Sequence, residues 1–163
     1  MMKFRIIILL LLVAACKPPT ENTIPPEPVT SDTFSLISNL KDGELTLSVN
    51  DKSQTLKEEG NIVDFYTSED KKSIVLEIEM FSTLSILKIY KWNLSSERYE
   101  ADKTNINKIA WEHFDKKQSI KPEELESSYV YFLEWKGQDS LVAELRGNTG
   151  MSELISDTIV LKY

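Results

Sequence analysis

Ser73-Ile74-Val75-Leu76-Glu77-Ile78-Glu79-Met80 is the stretch on which the fold turns. Ile74, Leu76, Ile78 and Met80 recur at every second position, with Glu77 and Glu79 among the intervening residues. A period of two sends alternate side chains to opposite faces of a pleated strand. The segment therefore reads as a half-buried strand with its glutamates on a solvated face. Phe81-Ser82-Thr83 leads into Leu84–Trp92, the expected partner strand. There Leu84 and Ile86 fall on one face and Leu87 and Ile89 on the other. Such a pattern fits a strand buried on both sides, or one in which a bulge exchanges the faces.

The same period continues outward. Leu45, Leu47 and Val49 alternate with Glu44, Thr46 and Ser48; Asn50-Asp51-Lys52-Ser53 then supplies turn residues before Gln54-Thr55-Leu56, the pattern of a hairpin. Downstream, Tyr129–Trp135 is strand-like and rich in aromatic residues. Lys136-Gly137-Gln138-Asp139 is a turn, Leu141, Ala143 and Leu145 alternate with Glu144 and Arg146, and Ile159-Val160-Leu161 closes the chain. Helical spacing interrupts this twice. Ile106, Ile109, Ala110 and Phe114 form a stripe at i, i+3, i+4 and i+8. Thr104 or Asn105 can cap that helix, and Lys116 and Lys117 suit its C-terminal dipole. Pro122, followed by Glu123 and Glu124, can open a second short helix. The expected fold is α+β: a mainly antiparallel sheet or sandwich with one or two short helices.

Two segments resemble each other. Phe65, followed after seven residues by Ser73–Glu79, aligns with Phe132, followed after seven residues by Ser140–Arg146, and each unit leads to a later strand ending at Tyr90 or Tyr163. Strand–turn–strand units of this kind recur in propeller blades, but closing a propeller takes at least about four blades. Any two amphipathic hairpins align this way, and that plain reading is preferred. A true duplication would give a sheet or sandwich of two similar halves.

The first residues carry a different message. Lys3 and Arg5 precede an apolar run from Ile6 to Leu12, and small residues follow at Val13-Ala14-Ala15 before Cys16. A basic head, an apolar core of about ten residues and small residues at a cleavage point make an export signal. The run is too short for a retained spanning helix, which needs roughly 20 apolar residues. Val13-Ala14-Ala15-Cys16 resembles the lipobox of secreted bacterial lipoproteins. The resemblance implies that Cys16 becomes the first mature residue, carrying a diacylglyceryl thioether and an acylated amine such as a palmitoyl amide. One acyl chain anchors only marginally, whereas two or three hold durably. Lys17 stands where, in Gram-negative lipoproteins, an aspartate is associated with inner-membrane retention, so for a Gram-negative cell the resemblance favours an outer-membrane location facing the periplasm.

Behind Cys16, five of the six prolines fall within Lys17–Thr30. Proline fixes φ and removes backbone donors, so this stretch reads as an extended tether reaching roughly 43 Å at about 3.1 Å per residue. The expected organisation is thus a signal over 1–15, an acylated cysteine and tether over 16–30, and one β-rich domain over 31–163. Losing Lys3 and Arg5 from a chain of net charge −7 leaves a mature charge of about −9. A surface this acidic disfavours nucleic acid and anionic lipid headgroups; its simplest meaning is solubility. Cys16 is the single cysteine, which excludes an intramolecular disulfide, a cysteine metal site and any other thiolate nucleophile.

Catalytic signatures are absent. His113 is the one histidine, so no His-rich zinc site or HExxH helix exists. Glu112 and His113, neighbours on a helix, point about 100° apart and form no local dyad. The five glycines make no phosphate loop, and no GxSxG elbow occurs. Glu77/Glu79 and Glu123/Glu124 read as a solvated strand face and a compensated helix start. Aromatic residues are the better lead. Tyr90 and Trp92 share one strand face, and Tyr129, Tyr131 and Trp135 share another. Such rows bind peptide, sugar or a protein partner when exposed, and fill core or cross-strand positions otherwise.

Together these features point to a membrane-anchored envelope lipoprotein that binds a protein or small ligand without catalysis, cofactor or metal. Three alternatives stay open: an immunity-type protein neutralising a periplasmic toxin, a hydrolase of envelope polymers, and an outer-membrane assembly accessory.

Overall fold

The structure is a computed structural model that describes residues 34–150 and 154–163. The expected signal at 1–15, the Cys16 anchor and the tether lie outside those residues. Three strands form a small antiparallel sheet: β1 (Leu36–Lys41), β2 (Glu44–Val49) and β3 (Lys52–Leu56). Two-residue turns join them at Asp42-Gly43 and Asn50-Asp51, and all four residues have positive φ. That geometry matches the right-handed twist of a hairpin and favours Asn, Asp and Gly. At Gly43 a Cβ would also stand 2.1 Å from Asn61 Oδ1, so any larger residue there would have to displace the Asn61 side chain as well as adopt a positive φ.

The remaining strands form two antiparallel meanders. The first runs β4 (Asn61–Thr67), β5 (Ser73–Phe81), β6 (Leu84–Asn93), β7 (Arg98–Ala101); the second runs β8 (Ser127–Trp135), β9 (Ser140–Asn148), β10 (Leu154–Lys162). A single parallel pair, Leu84 with Ser128, links them. Between the meanders lie helix α1 (Ile106–Gln118) and a 3₁₀ turn at Pro122–Glu124. The fold is α+β, a layered β structure with one true helix among the described residues.

Burial explains the layering. Ile74, Leu76 and Ile78 of β5 pack on Leu45, Leu47, Val49 and Leu56 of the small sheet. Val75, Leu87 and Ile89 turn the other way, onto Ile106, Ala110 and Phe114 of α1 and onto Leu141, Ala143 and Leu145 of β9. β6 is thus buried on both faces, as its apolar pattern requires. β5 is too, which corrects the half-buried reading. Glu77, expected in solvent beside Glu79, is only 8% exposed. Its strand lies between two layers, and alternation cannot reveal a second covering layer.

Helix α1 starts where Asn105 Oδ1 accepts the Lys108 N–H at 3.0 Å and ends at Ser119 in the left-handed conformation. Its buried face is Ile106, Ala110, Trp111 and Phe114, while Ile109 is 41% exposed. The stripe is therefore rotated from the expected one, with Trp111 replacing Ile109.

β8 diverges from β6 after their one pair, and side chains replace the missing strand backbone. Successive outward N–H groups of β8 donate to different acceptors. Ser128 reaches the Thr83 carbonyl at 2.8 Å, Val130 the Ser85 hydroxyl at 3.2 Å, and Phe132 the Glu77 carboxylate at 2.7 Å. Buried backbone donors demand partners, which accounts for two buried polar residues, Ser85 and Glu77. Asn107 serves β6 similarly: its amide accepts from Leu87 N at 2.9 Å and donates to Leu87 O at 2.7 Å. The edge strands β4 and β10 each carry an aspartate that caps the next residue. Asp64 accepts from Phe65 N and Asp157 from Thr158 N, both at 2.8 Å. Charges placed this way blunt an edge against further strand pairing.

The two similar segments fold alike. Phe65 pairs with Leu76 and Phe132 with Ala143, the same register 67 residues apart. Trp92 N donates to Lys72 O at 2.7 Å, and Tyr163 N to Asp139 O at 3.0 Å, closing corresponding turns. A bulge distinguishes the copies, at Val63 in β4 and at Leu133 in β8.

Candidate functional site

The five aromatic candidates separate into three settings. Tyr90 is buried in the core shared with the small sheet. Its hydroxyl donates to Glu58, which also pairs with Lys88 at 2.7 Å. Burial raises the Tyr90 phenol well above its ordinary value, and the Glu58 carboxylate adds to the rise. Trp92 packs edge-on against Phe34 and Tyr99, with ring centres 5.1 and 5.2 Å away. These two side chains are structural neighbours on one face, as the alternation implied, and that face is covered.

Tyr129 and Tyr131 stand on the outer face of β8, half-buried. Their rings stack at 5.9 Å and 13°. The Arg146 guanidinium lies 5.1 Å from the Tyr131 ring centre and bonds Glu144 at 2.8 Å. Tyr129 OH donates to Ser82 O at 3.0 Å. Burial lifts the Tyr131 phenol, while the Arg146 charge pulls the other way. The sequence pattern put Trp135 on this face; the structure puts it on the opposite one. Phe132 opposes Ala143 and Glu134 opposes Val142, so Leu133 is an inserted residue that reverses the alternation. Trp135 then packs against Phe132 and Tyr163, at 5.3 and 6.0 Å.

Trp135 still reaches a surface, at the end of the molecule. A cavity of about 470 Å³ opens there between the β4–β5 turn (Ser68, Glu69, Asp70) and the β8–β9 turn (Gly137, Gln138), with Trp135 in its wall. These are the corresponding turns of the two similar segments. Ser68 Oγ donates to Asp70 Oδ1 at 2.7 Å, and the Lys72 N–H to the same oxygen at 3.0 Å. The Ser68 hydroxyl, above all, holds the Asp70 carboxyl below its ordinary value; burial opposes this and Lys72 adds to it. Trp135 Nε1 is buried without a hydrogen-bond partner.

A second cavity, about 440 Å³, lies between the open edge of β6 and the start of α1. Two of its carboxylates are already paired: Glu58 with Lys88, and Asp102 with Lys91 at 2.8 Å. His113 lines a shallow depression between α1 and β10, with Nε2 3.6 Å from Asp157 Oδ2. Among the described residues no hydroxyl or thiol is hydrogen-bonded to His113, and no cluster of three His, Cys, Asp or Glu side chains could hold a metal ion. Nor is any described helix long and apolar enough to cross a membrane.

The chain matches no protein-family model, no curated protein and no solved structure.

Sequence reasoning placed Glu77 in solvent and missed Asn107 and Asp70. Glu77 meets Phe132, and Asn107 meets Leu87, across long stretches of chain. No local period reports such a meeting. Only the turn composition around Ser68–Lys72 hinted at Asp70.

Proposed function

We propose that this protein is a lipid-anchored bacterial envelope protein that acts by non-catalytic binding, held on the membrane through Cys16 and presenting its β domain on a proline-rich tether. The observation that carries the reading is Val13-Ala14-Ala15-Cys16 directly after a short apolar run with a basic head. What supports binding over chemistry is the character of the available surfaces. The Tyr129–Tyr131–Arg146 row is aromatic, cationic and half-exposed, the composition of residues that anchor partners. The cavity walled by Trp135 combines an aromatic ring with polar groups.

The test is crosslinking in cells, with pull-down of the tagged full chain and Cys16→Ala as control. A dominant partner that weakens in the control is expected, together with incorporation of labelled fatty acid into the wild type alone. Equal membrane recovery of both proteins and no fatty-acid label would sink the anchor. An anchored protein with no partner above background would leave only a small-ligand form of the binding role.

A further inference from the structure

We propose that the cavity between the two corresponding turns binds a hydroxyl-rich ring, a saccharide unit, with Trp135 as its apolar wall and the Asp70 and Glu69 carboxylates as hydroxyl acceptors. This rests on the binding role proposed above and names the ligand class and site. Size comes first: about 470 Å³ is within the range of small-molecule sites. Chemistry then narrows the class. A saccharide presents C–H groups on its ring faces and hydroxyls around its rim. It needs an apolar surface and, at its edge, both acceptors and donors. Trp135 supplies the surface. Asp70, kept ionised by Ser68 and the Lys72 N–H, has acceptor capacity left on its other oxygen. Gln138 offers an amide that both donates and accepts.

A small cation is the competing occupant for an aromatic ring beside carboxylates. Shape favours the sugar. Gly137, at φ +81°, has no atom within 4 Å of where a Cβ would be, so that wall is open to a ring. The rims are also held in place. Tyr163 OH donates to Gln138 O at 3.2 Å and Tyr163 N to Asp139 O at 3.0 Å, while Ser68 Oγ and Ser73 N fix the other turn. A site on braced turns loses less freedom on binding.

The full chain, ¹⁵N-labelled and held in a polyoxyethylene detergent free of sugar or choline headgroups, is titrated with maltotriose and with the β-1,4-linked trisaccharide of N-acetylglucosamine. Choline chloride is the cation control. The three tryptophan indole resonances are assigned with Trp135→Phe. The expected result is a saturable shift of the Trp135 indole N–H with at least one sugar, with the Trp92 and Trp111 resonances unmoved. Asp70→Asn is expected to weaken binding about tenfold, as the loss of one charge-assisted hydrogen bond. Because Asp70 also braces its turn, Glu69→Gln, on an exposed side chain outside those bonds, is the second variant, with a smaller loss expected. No movement of the Trp135 resonance at tens of millimolar sugar overturns the proposal, as does an equal shift with choline. Failure here alongside a crosslinked protein partner removes this site and keeps the binding role. Failure of both removes that role as well.

Discussion

Replacing Glu77 tests how the two meanders are joined. Its carboxylate is 8% exposed and accepts the Phe132 N–H at 2.7 Å, in place of a strand backbone. Glu77→Leu fills much of the same volume but orphans that donor, at about 1–3 kcal/mol. For a domain of this size the loss corresponds to roughly 3–5 °C of Tm per kcal/mol. Glu77→Gln keeps an acceptor and removes the charge. Burial lifts the Glu77 carboxyl above its ordinary value; the Phe132 N–H offsets part of the lift, and the Asp64 carboxylate beside it adds to it. A raised folded pKa means that the folded state holds its proton longer than the unfolded chain. The stability contributed by the protonated form is complete below the unfolded value of 4.5 and is lost as pH rises through the folded value. Glu77→Gln should therefore equal the wild type near pH 4 and match or exceed it at pH 7.5. Glu77→Leu should be weaker at both. Urea unfolding followed by far-ultraviolet circular dichroism at the two pH values measures all three proteins. A glutamine variant as destabilised as the leucine variant at pH 7.5 would refute the reasoning, because charge, and not the acceptor alone, would then be holding the seam.

Other expectations follow from the same contacts. Asn107→Leu leaves Leu87 N and O unpaired on the edge of β6 and should cost about 1–3 kcal/mol, at the low end because the neighbouring cavity admits water; hydrogen exchange at Leu87 should quicken, and unchanged protection would count against the bridge. Phe114→Ala empties a fully buried site between α1 and β9 and should cost about 3–5 kcal/mol in urea unfolding. Asp157, its side chain 7% exposed, is pushed up by burial but drawn further down by Lys117, with Thr158 N–H and His113 assisting. Its contribution is present above the unfolded value of 3.8 and lost as pH falls through the lower folded value. Asp157→Asn should therefore be less stable than wild type at pH 7 and lose that difference toward pH 2, as read from the pH dependence of Tm.

Much of the fold was legible in the chain because it is local. Alternation at Leu45–Val49, Ile74–Ile78 and Leu141–Leu145 marked strands, and Asn50-Asp51 and Gly137 marked turns. The helix and its Asn105 cap were readable from spacing and capping chemistry. β1 and β7 were not: Leu36–Lys41 has Leu36 beside Ile37 and no sustained alternation, Arg98–Ala101 is too short to show a period, and pairing makes them strands. The bulge at Leu133 was invisible as well. It arises from the pairing of β8 with β9, and it moved Trp135 away from Tyr129 and Tyr131.

The sequence by itself determined most strand positions, turn chemistry, the helix and the α+β class, since each depends on residues a few positions apart. The anchor proposed above is likewise read from neighbours, Val13-Ala14-Ala15-Cys16 behind a short apolar run. The tertiary structure alone decided which faces receive a second layer, why Glu77 is buried, and which aromatic side chains meet the surface. Those outcomes depend on segments tens of residues apart sharing the same space. A buried donor such as Phe132 N–H takes whatever acceptor the packing brings to it, and no local pattern records that choice.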